Sequence, residues 1–214
     1  MTTDTATPVL VEDPALNQRW SSLAFWGMVI FVVGYCLVLL GAFTVQFVGH
    51  EYPCPLCMLQ RYGMILATIP ILWIVADALR GTLSRGRYCA GLGMAIIASV
   101  AGGTESTRQI LLHIAKKGDP GYGSAVLGLH LYTWALITFV IVIVFCGVAL
   151  MCSSAVVPLA PRSDGLRVLA RCALWLFLGV IVLNVIAIIF LEGFSWILPD
   201  DPTHYRLLQE LGFH

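Results

Sequence analysis

The residues best suited to chemistry stand in one short stretch, His50-Glu51-Tyr52-Pro53-Cys54-Pro55-Leu56-Cys57. Two cysteines three positions apart at a helix start can close a small disulfide ring. The positive end of the helix dipole stabilises a thiolate, the form of cysteine that attacks disulfides and electrophiles. Pro55 restricts the backbone inside the pair and resists continuation of a helix into it. The same spacing also serves metals and haem. Zinc ordinarily takes four ligands, and only His50 and Glu51 stand nearby. Haem attachment wants a histidine directly after the second cysteine, where Met58 stands. Redox use, a metal site and an inert structural disulfide are therefore all open on these residues alone. Arg61 follows Cys57 by four positions, one helical turn on and on the same face. A guanidinium just below a membrane surface is costly. Either its head snorkels to the surface, or it stabilises negative charge on Cys57 or on a reduced ligand beside it.

The elements that carry this stretch follow from composition. The chain has 214 residues, 59% hydrophobic and 11% charged, with a mean hydropathy of +0.88. A soluble domain carries about 25% charged residues, so this chain lacks the charge to wet a surface and reads as a membrane protein. Twelve basic and twelve acidic residues cancel, and no basic stripe suggests nucleic acid as a partner. A spanning helix needs about 20 apolar residues. Five segments qualify, roughly Leu23–Val48, Met58–Leu79, Tyr88–Leu112, Leu129–Cys152 and Val168–Leu191. In lipid their backbone groups must be satisfied internally, so they are expected to be helices, the second kinked at Pro70. The first is too long for a cleaved signal peptide, and its leader holds Asp4, Glu12 and Asp13 against Arg19 alone.

Basic residues near helix ends set orientation. With a cytoplasmic N-terminus, Arg19, Arg80, Arg85, Arg87, Arg162, Arg167 and Arg171 lie inside, against Arg61, Arg108, Lys116, Lys117 and Arg206 outside. That places the C-terminus outside as well. It also sorts the seven cysteines. Cys36 falls within the first helix, and Cys89, Cys146, Cys152 and Cys172 fall toward the inner side, where thiols stay reduced. Only Cys54 and Cys57 face the oxidising side.

Pro53-Cys54-Pro55-Leu56-Cys57-Met58-Leu59-Gln60-Arg61 resembles the signature of the disulfide bond formation protein B (DsbB) family. The likeness continues at Glu105-Ser106-Thr107-Arg108-Gln109 and at Gly128-Leu129-His130-Leu131-Tyr132-Thr133-Trp134, and covers roughly Leu23 to Cys152. It implies an all-α membrane protein of the bacterial inner membrane, a four-helix bundle here extended by a fifth C-terminal helix. It further implies a thiol:quinone oxidoreductase that reoxidises a thioredoxin-like periplasmic thiol oxidase and passes electrons to ubiquinone or menaquinone. By position, Cys54 and Cys57 are the implied catalytic pair, with Cys57 meeting the quinone ring and Arg61 stabilising it. Glu105, Arg108 and Gln109 border the implied quinone site between the second and third helices. A plain alternative for Glu105 is an ion pair with Arg108 at three-residue spacing. One departure matters: family members carry a second cysteine pair in the outer loop between helices three and four. Here neither that loop, about His113 to Gly128, nor the tail from Gly193 holds a cysteine.

The expected organisation is a polar leader over 1–20, a DsbB-like membrane domain over 21–152, and a fifth helix with a short outer tail over 153–214. Within the tail, Pro202–Leu211 suits a short amphipathic helix capped by Thr203, with its apolar side on lipid. The leading function is quinone-coupled thiol oxidation, with attack by the partner on Cys54 as the more accessible sulfur. Its rival is a non-catalytic membrane subunit in which Cys54–Cys57 only pins a loop. A transporter fits poorly, since no charged residue sits at midmembrane: Asp77 falls near a helix end.

Overall fold

The computed structural model describes residues 14–114, 121, 123, 125–195 and 205–212. Most of the leader, Lys116, Lys117 and Thr203 lie outside them. The chain forms α1 (Pro14–Phe47), α2 (Pro55–Arg80), α3 (Arg85–Ile114), a minimal hairpin of β1 (Ala125–Val126) and β2 (Leu129–His130), α4 (Leu131–Met151), α5 (Asp164–Glu192) and α6 (Arg206–Glu210). At about 1.5 Å per residue, α2 alone is about 39 Å long, enough to cross a bilayer. Among the described residues four helices are long and apolar enough to do so: Asn17–Phe47, Pro55–Arg80, Leu131–Met151 and Asp164–Glu192.

The third expected span is the less apolar one. Where α3 runs between α2 and α4 it carries small residues, Gly91, Ala95, Ser99, Gly102, Gly103 and Ser106, on its buried side. A Cβ on Gly63 would come within 2.8 Å of the Gly102 Cα and 3.1 Å of the Phe139 ring. Backbones of α2 and α3 thus meet directly, with Phe139 of α4 filled in beside them. Helix association in lipid depends on such close approach, because burial of apolar surface gains nothing there.

α1 lies against α2 and α5, and its core face holds Phe25, Val32 and Leu39 with Ile71, Ile74 and Phe177. The outward faces carry large apolar side chains in the open, Ile97 at 72%, Trp175 at 71% and Ile30 at 68% exposure. A water-soluble bundle does not present such a belt; it suits acyl chains. The chain is an all-α, multi-pass membrane bundle with a fifth long helix beyond the first four.

Helix boundaries depart from the expected ones in one way that matters for chemistry. Pro55 does not hold the helix away from the cysteine pair; it is the first helical residue of α2, where its missing N–H costs nothing. Pro70 lies within α2, which is helical on both sides of it.

Candidate active site

Cys54 occupies the N-cap of α2 in an extended conformation, and its sulfur accepts the Cys57 N–H at 3.2 Å. A cysteine thus does the capping work usual for serine or aspartate. Cys57 lies in the first turn, and the two sulfurs stand 2.6 Å apart with both cysteines free. A disulfide bond spans about 2.05 Å, so little motion separates the reduced pair from a closed ring. Cys54 is only 6% exposed, whereas Cys57 is half-buried. The expectation that Cys54 is the more accessible sulfur is therefore reversed: the cap position tucks it under the helix end, while Cys57 looks outward from the first turn.

A third chain segment reaches the sulfurs. Gln109 of α3, 1% exposed, points its amide nitrogen at Cys54 Sγ (3.5 Å) and Cys57 Sγ (3.7 Å). Its oxygen accepts from Gln60 Nε2 at 2.7 Å. Because an amide oxygen cannot donate, that bond turns the NH2 group of Gln109 toward the sulfurs. The hydrogen bond between the cysteines, and after it burial, hold the Cys54 thiol well above its ordinary range.

Arg61 is 7% exposed and does not snorkel to the surface. It lies one turn deeper along α2, and α1 packs close enough to enclose it. Its Nη1 donates to Gln46 Oε1 at 2.7 Å, its Nη2 to the Ala42 carbonyl at 3.3 Å, and its carbon centre sits 5.1 Å from the Phe43 ring centroid. All three are uncharged partners, and no carboxylate pairs with Arg61 among the described residues. A guanidinium has five N–H donors, so most of them are still available.

Cys57, Gln60 and Arg61 all line a cavity of about 630 Å³. Its walls are α1 (Leu37, Val38, Val45), α2 (Met64) and α4 (Leu131, Ala135), with Tyr52 and Leu127 of the connections at its end. The cavity exists because α1 and α4 touch at the far end, where Phe31 stacks on Phe145 at 6.0 Å, and leave room between them near the cysteines. Leu37 and Leu131 line it and stay exposed, so its mouth faces the apolar belt. Its volume lies in the range of small-molecule sites, about 300–1,000 Å³, and its lining is mainly apolar, with Arg61, Gln60, Cys57 and the Glu51 carboxylate among its polar groups.

Of the residues singled out from sequence, Cys54, Cys57, Arg61 and Gln109 converge here. Glu105 and Arg108 do not; they form an ion pair at 3.8 Å on another side of α3, with the Arg108 side chain 65% exposed. The open space beside Cys57 lies between α1, α2 and α4, while the α2–α3 seam is closed by Gly63 and Gly102. Sequence reasoning missed Gln46 and Gln60. A polar side chain inside an apolar span was the available signal.

A bundle of membrane helices in which one sulfur of a Cys-x-x-Cys pair lines an apolar cavity defines the class. The sequence profile of the family described as disulfide bond formation protein DsbB matches residues 20–120. Disulfide bond formation protein B 1 of Pseudomonas entomophila is 34% identical over 153 residues, covering 59% of this chain and 86% of that protein. The protein of the same name from Pseudomonas putida is 31% identical over 153 residues, with the same coverage of 59% and 86%. That from Pseudomonas fluorescens (strain Pf0-1) is 32% identical over 136 residues, covering 51% and 79%. The chain belongs to the DsbB family. No solved structure matches it.

Proposed function

We propose that the protein is a membrane thiol:quinone oxidoreductase that supports disulfide bond formation outside the cytoplasm. The observation that carries this reading is that Cys57 and Arg61 open on one apolar cavity while Cys54 waits 2.6 Å from Cys57 on its other side. Kinship with proteins named for disulfide bond formation supports it.

A quinone fits the cavity's chemistry. Arg61 supplies N–H donors for a ring oxygen, and Leu37, Val38, Met64, Leu131 and Ala135 offer an apolar wall to an isoprenoid tail. Bound there, a quinone supplies a two-electron, two-proton acceptor. The chain's own residues do the rest. Starting from the Cys54–Cys57 disulfide, a partner thiolate attacks Cys54 Sγ, forming a mixed disulfide, and Cys57 Sγ leaves with the electron pair. The leaving charge is stabilised by the Gln109 amide, the start of α2 and Arg61. The partner's second thiolate attacks its own sulfur in the mixed disulfide and releases Cys54, which takes up a proton. The partner leaves oxidised, and a Cys54 thiol beside a Cys57 thiolate remains, with Cys57 facing the cavity for reoxidation. Because Cys54 is buried, exchange with a protein thiol requires local opening around the α2 cap. No second cysteine pair in the chain relays for it.

In this reading the cysteine end faces the periplasm of a bacterial inner membrane and the N-terminus the cytoplasm, supported by the bias of basic residues to the opposite end. Residues 21–152 hold the redox bundle and 153–214 an added helix and tail. The test is reconstitution with a quinone and a reduced thioredoxin-like dithiol protein, following quinone absorbance. Turnover that vanishes in Cys57→Ser supports the proposal. A formed Cys54–Cys57 bond with no quinone reduction from any thiol donor would favour the rival, a membrane subunit in which the disulfide is structural.

A further inference from the structure

The polar contacts of Arg61 do not end at α1. Gln46, 2% exposed, accepts from Arg61 through Oε1 and donates through Nε2 to the hydroxyl of Tyr205 at 3.4 Å. Tyr205 comes from the tail beyond α5, outside the stretch that matches the family profile. Its placement is built rather than casual. The ring stacks on Phe47 at 6.4 Å and meets Tyr52 edge-on at 5.1 Å. The next turn buries Leu207, and Glu210 accepts the Phe194 N–H at 2.7 Å, tying α6 back to the end of α5. The apolar side of this tail thus packs partly on protein, against Met58, Ile188 and Leu191, rather than on lipid alone.

We infer that the C-terminal tail supplies Tyr205 as a positioning residue of the redox site, fixing the Gln46 amide so that Arg61 stays aimed along the cavity. The chemistry is that of donors and acceptors. Arg61 has donors only, so Gln46 must turn its oxygen to it, and the amide NH2 then needs an acceptor in a buried place. Tyr205 Oη is that acceptor. Without it, the buried NH2 is unsatisfied, and Gln46 gains by swinging away from Arg61. α5 and α6 are then the mount that brings the hydroxyl to the Gln46–Arg61 pair.

The inference rests on the proposed quinone site, and its test separates the two. Equilibrium binding of decylubiquinone to the full-length reduced protein in detergent is followed by quenching of Trp134, which lines the cavity. Tyr205→Phe keeps the ring stacks and removes the hydroxyl. It should weaken binding about three- to tenfold, the range of one neutral hydrogen bond, and in turnover should raise the quinone KM more than it lowers kcat. In Gln46→Glu, whose carboxylate pairs with Arg61 without help, Tyr205→Phe should have no further effect. Equal affinity of wild type and Tyr205→Phe overturns the inference, as does the same loss in both backgrounds. A wild type that binds no decylubiquinone overturns the quinone site itself and this inference with it.

Discussion

At one end of α2, Asp77 is buried between two arginines, Arg87 at 3.1 Å and Arg80 at 3.5 Å, whose side chains are 51% and 70% exposed. At the other end, Arg61 is buried against an amide, a carbonyl and an aromatic face, and among the described residues it has no counter-charge. The first arrangement is complete. Its negative charge is neutralised, its positive charges reach water, and nothing is left over for a ligand. The second keeps a positive charge in a low-dielectric place, where it acts strongly on any negative charge that forms beside it. One end of the helix is fastened; the other is poised.

The largest effect should come from removing the sulfur that faces the cavity. Cys57→Ser is expected to reduce dithiol-to-quinone turnover to the uncatalysed background, because a serine hydroxyl neither forms nor breaks the ring bond. Residual turnover above a few per cent of wild type would mean that another thiol delivers the electrons.

Arg61 and Asp77 then test the contrast directly. Arg61→Met removes one charge-assisted interaction, about 1.5–3 kcal/mol, so kcat/KM for quinone should fall roughly 10- to 150-fold. Thermal stability should change by no more than about 1 kcal/mol, because relief of a buried unpaired charge offsets the donor that the Gln46 oxygen loses. Asp77→Asn should spare the kinetics. It should leave kcat/KM within about twofold and lower stability by about 1 kcal/mol, a modest cost because both arginines remain solvated. If Arg61→Met unfolds the protein while quinone kinetics in the folded fraction are normal, the two ends do the same job and the contrast fails.

How much of this was legible in the sequence depends on the distance along the chain. Cys54, Cys57 and Arg61 lie within two helical turns, at i, i+3 and i+7, so their spacing alone placed them on one face. The apolar runs likewise located all five long helices, α1 to α5. What could not be read are contacts between elements far apart: Gln109 to the sulfurs across 55 positions, and Tyr205 to Gln46 across 159. Helix packing decides these, and hydropathy does not encode packing angles. Nor does it reveal the α3 seam: the run Tyr88–Leu112 located that helix, but not that its small residues bring its backbone against α2. Arg108 and Glu105 looked equally placed for the site, but a rotation of about 100° per residue along α3 turns Gln109 inward and leaves Arg108 outward.

The close approach of α2 and α3 is tested at Gly63. In Gly63→Ala the new methyl would meet Gly102 Cα at 2.8 Å, a backbone atom that cannot rotate away. The helices must part, and overpacking of this kind costs about 1–3 kcal/mol. The thermal midpoint should drop, and quinone affinity should fall less than in Arg61→Met, because the cavity is on the other side of α2. An unchanged midpoint would show that α2 and α3 are not in backbone contact.

The smallest effect concerns the sulfur on the inner side of the pair. The hydrogen bond with Cys57 is the main reason, and burial the second, that the Cys54 thiol is held above its usual range. An acid whose pKa is raised keeps its proton as pH climbs past the ordinary cysteine value of about 8.5. In the reduced protein, iodoacetamide should therefore label Cys54 slowly at pH 8, with the rise in rate displaced to more alkaline pH. Cys57→Ala removes the main cause and leaves burial, so the Cys54 rate at the same pH should increase several-fold yet stay below that of a free thiol. Peptide mass spectrometry after timed quenching reads both rates. Were the two rates equal, Cys54 would not be sharing its proton with Cys57. The charge left when the disulfide opens would then be held on Cys57 by the Gln109 amide, the start of α2 and Arg61 alone.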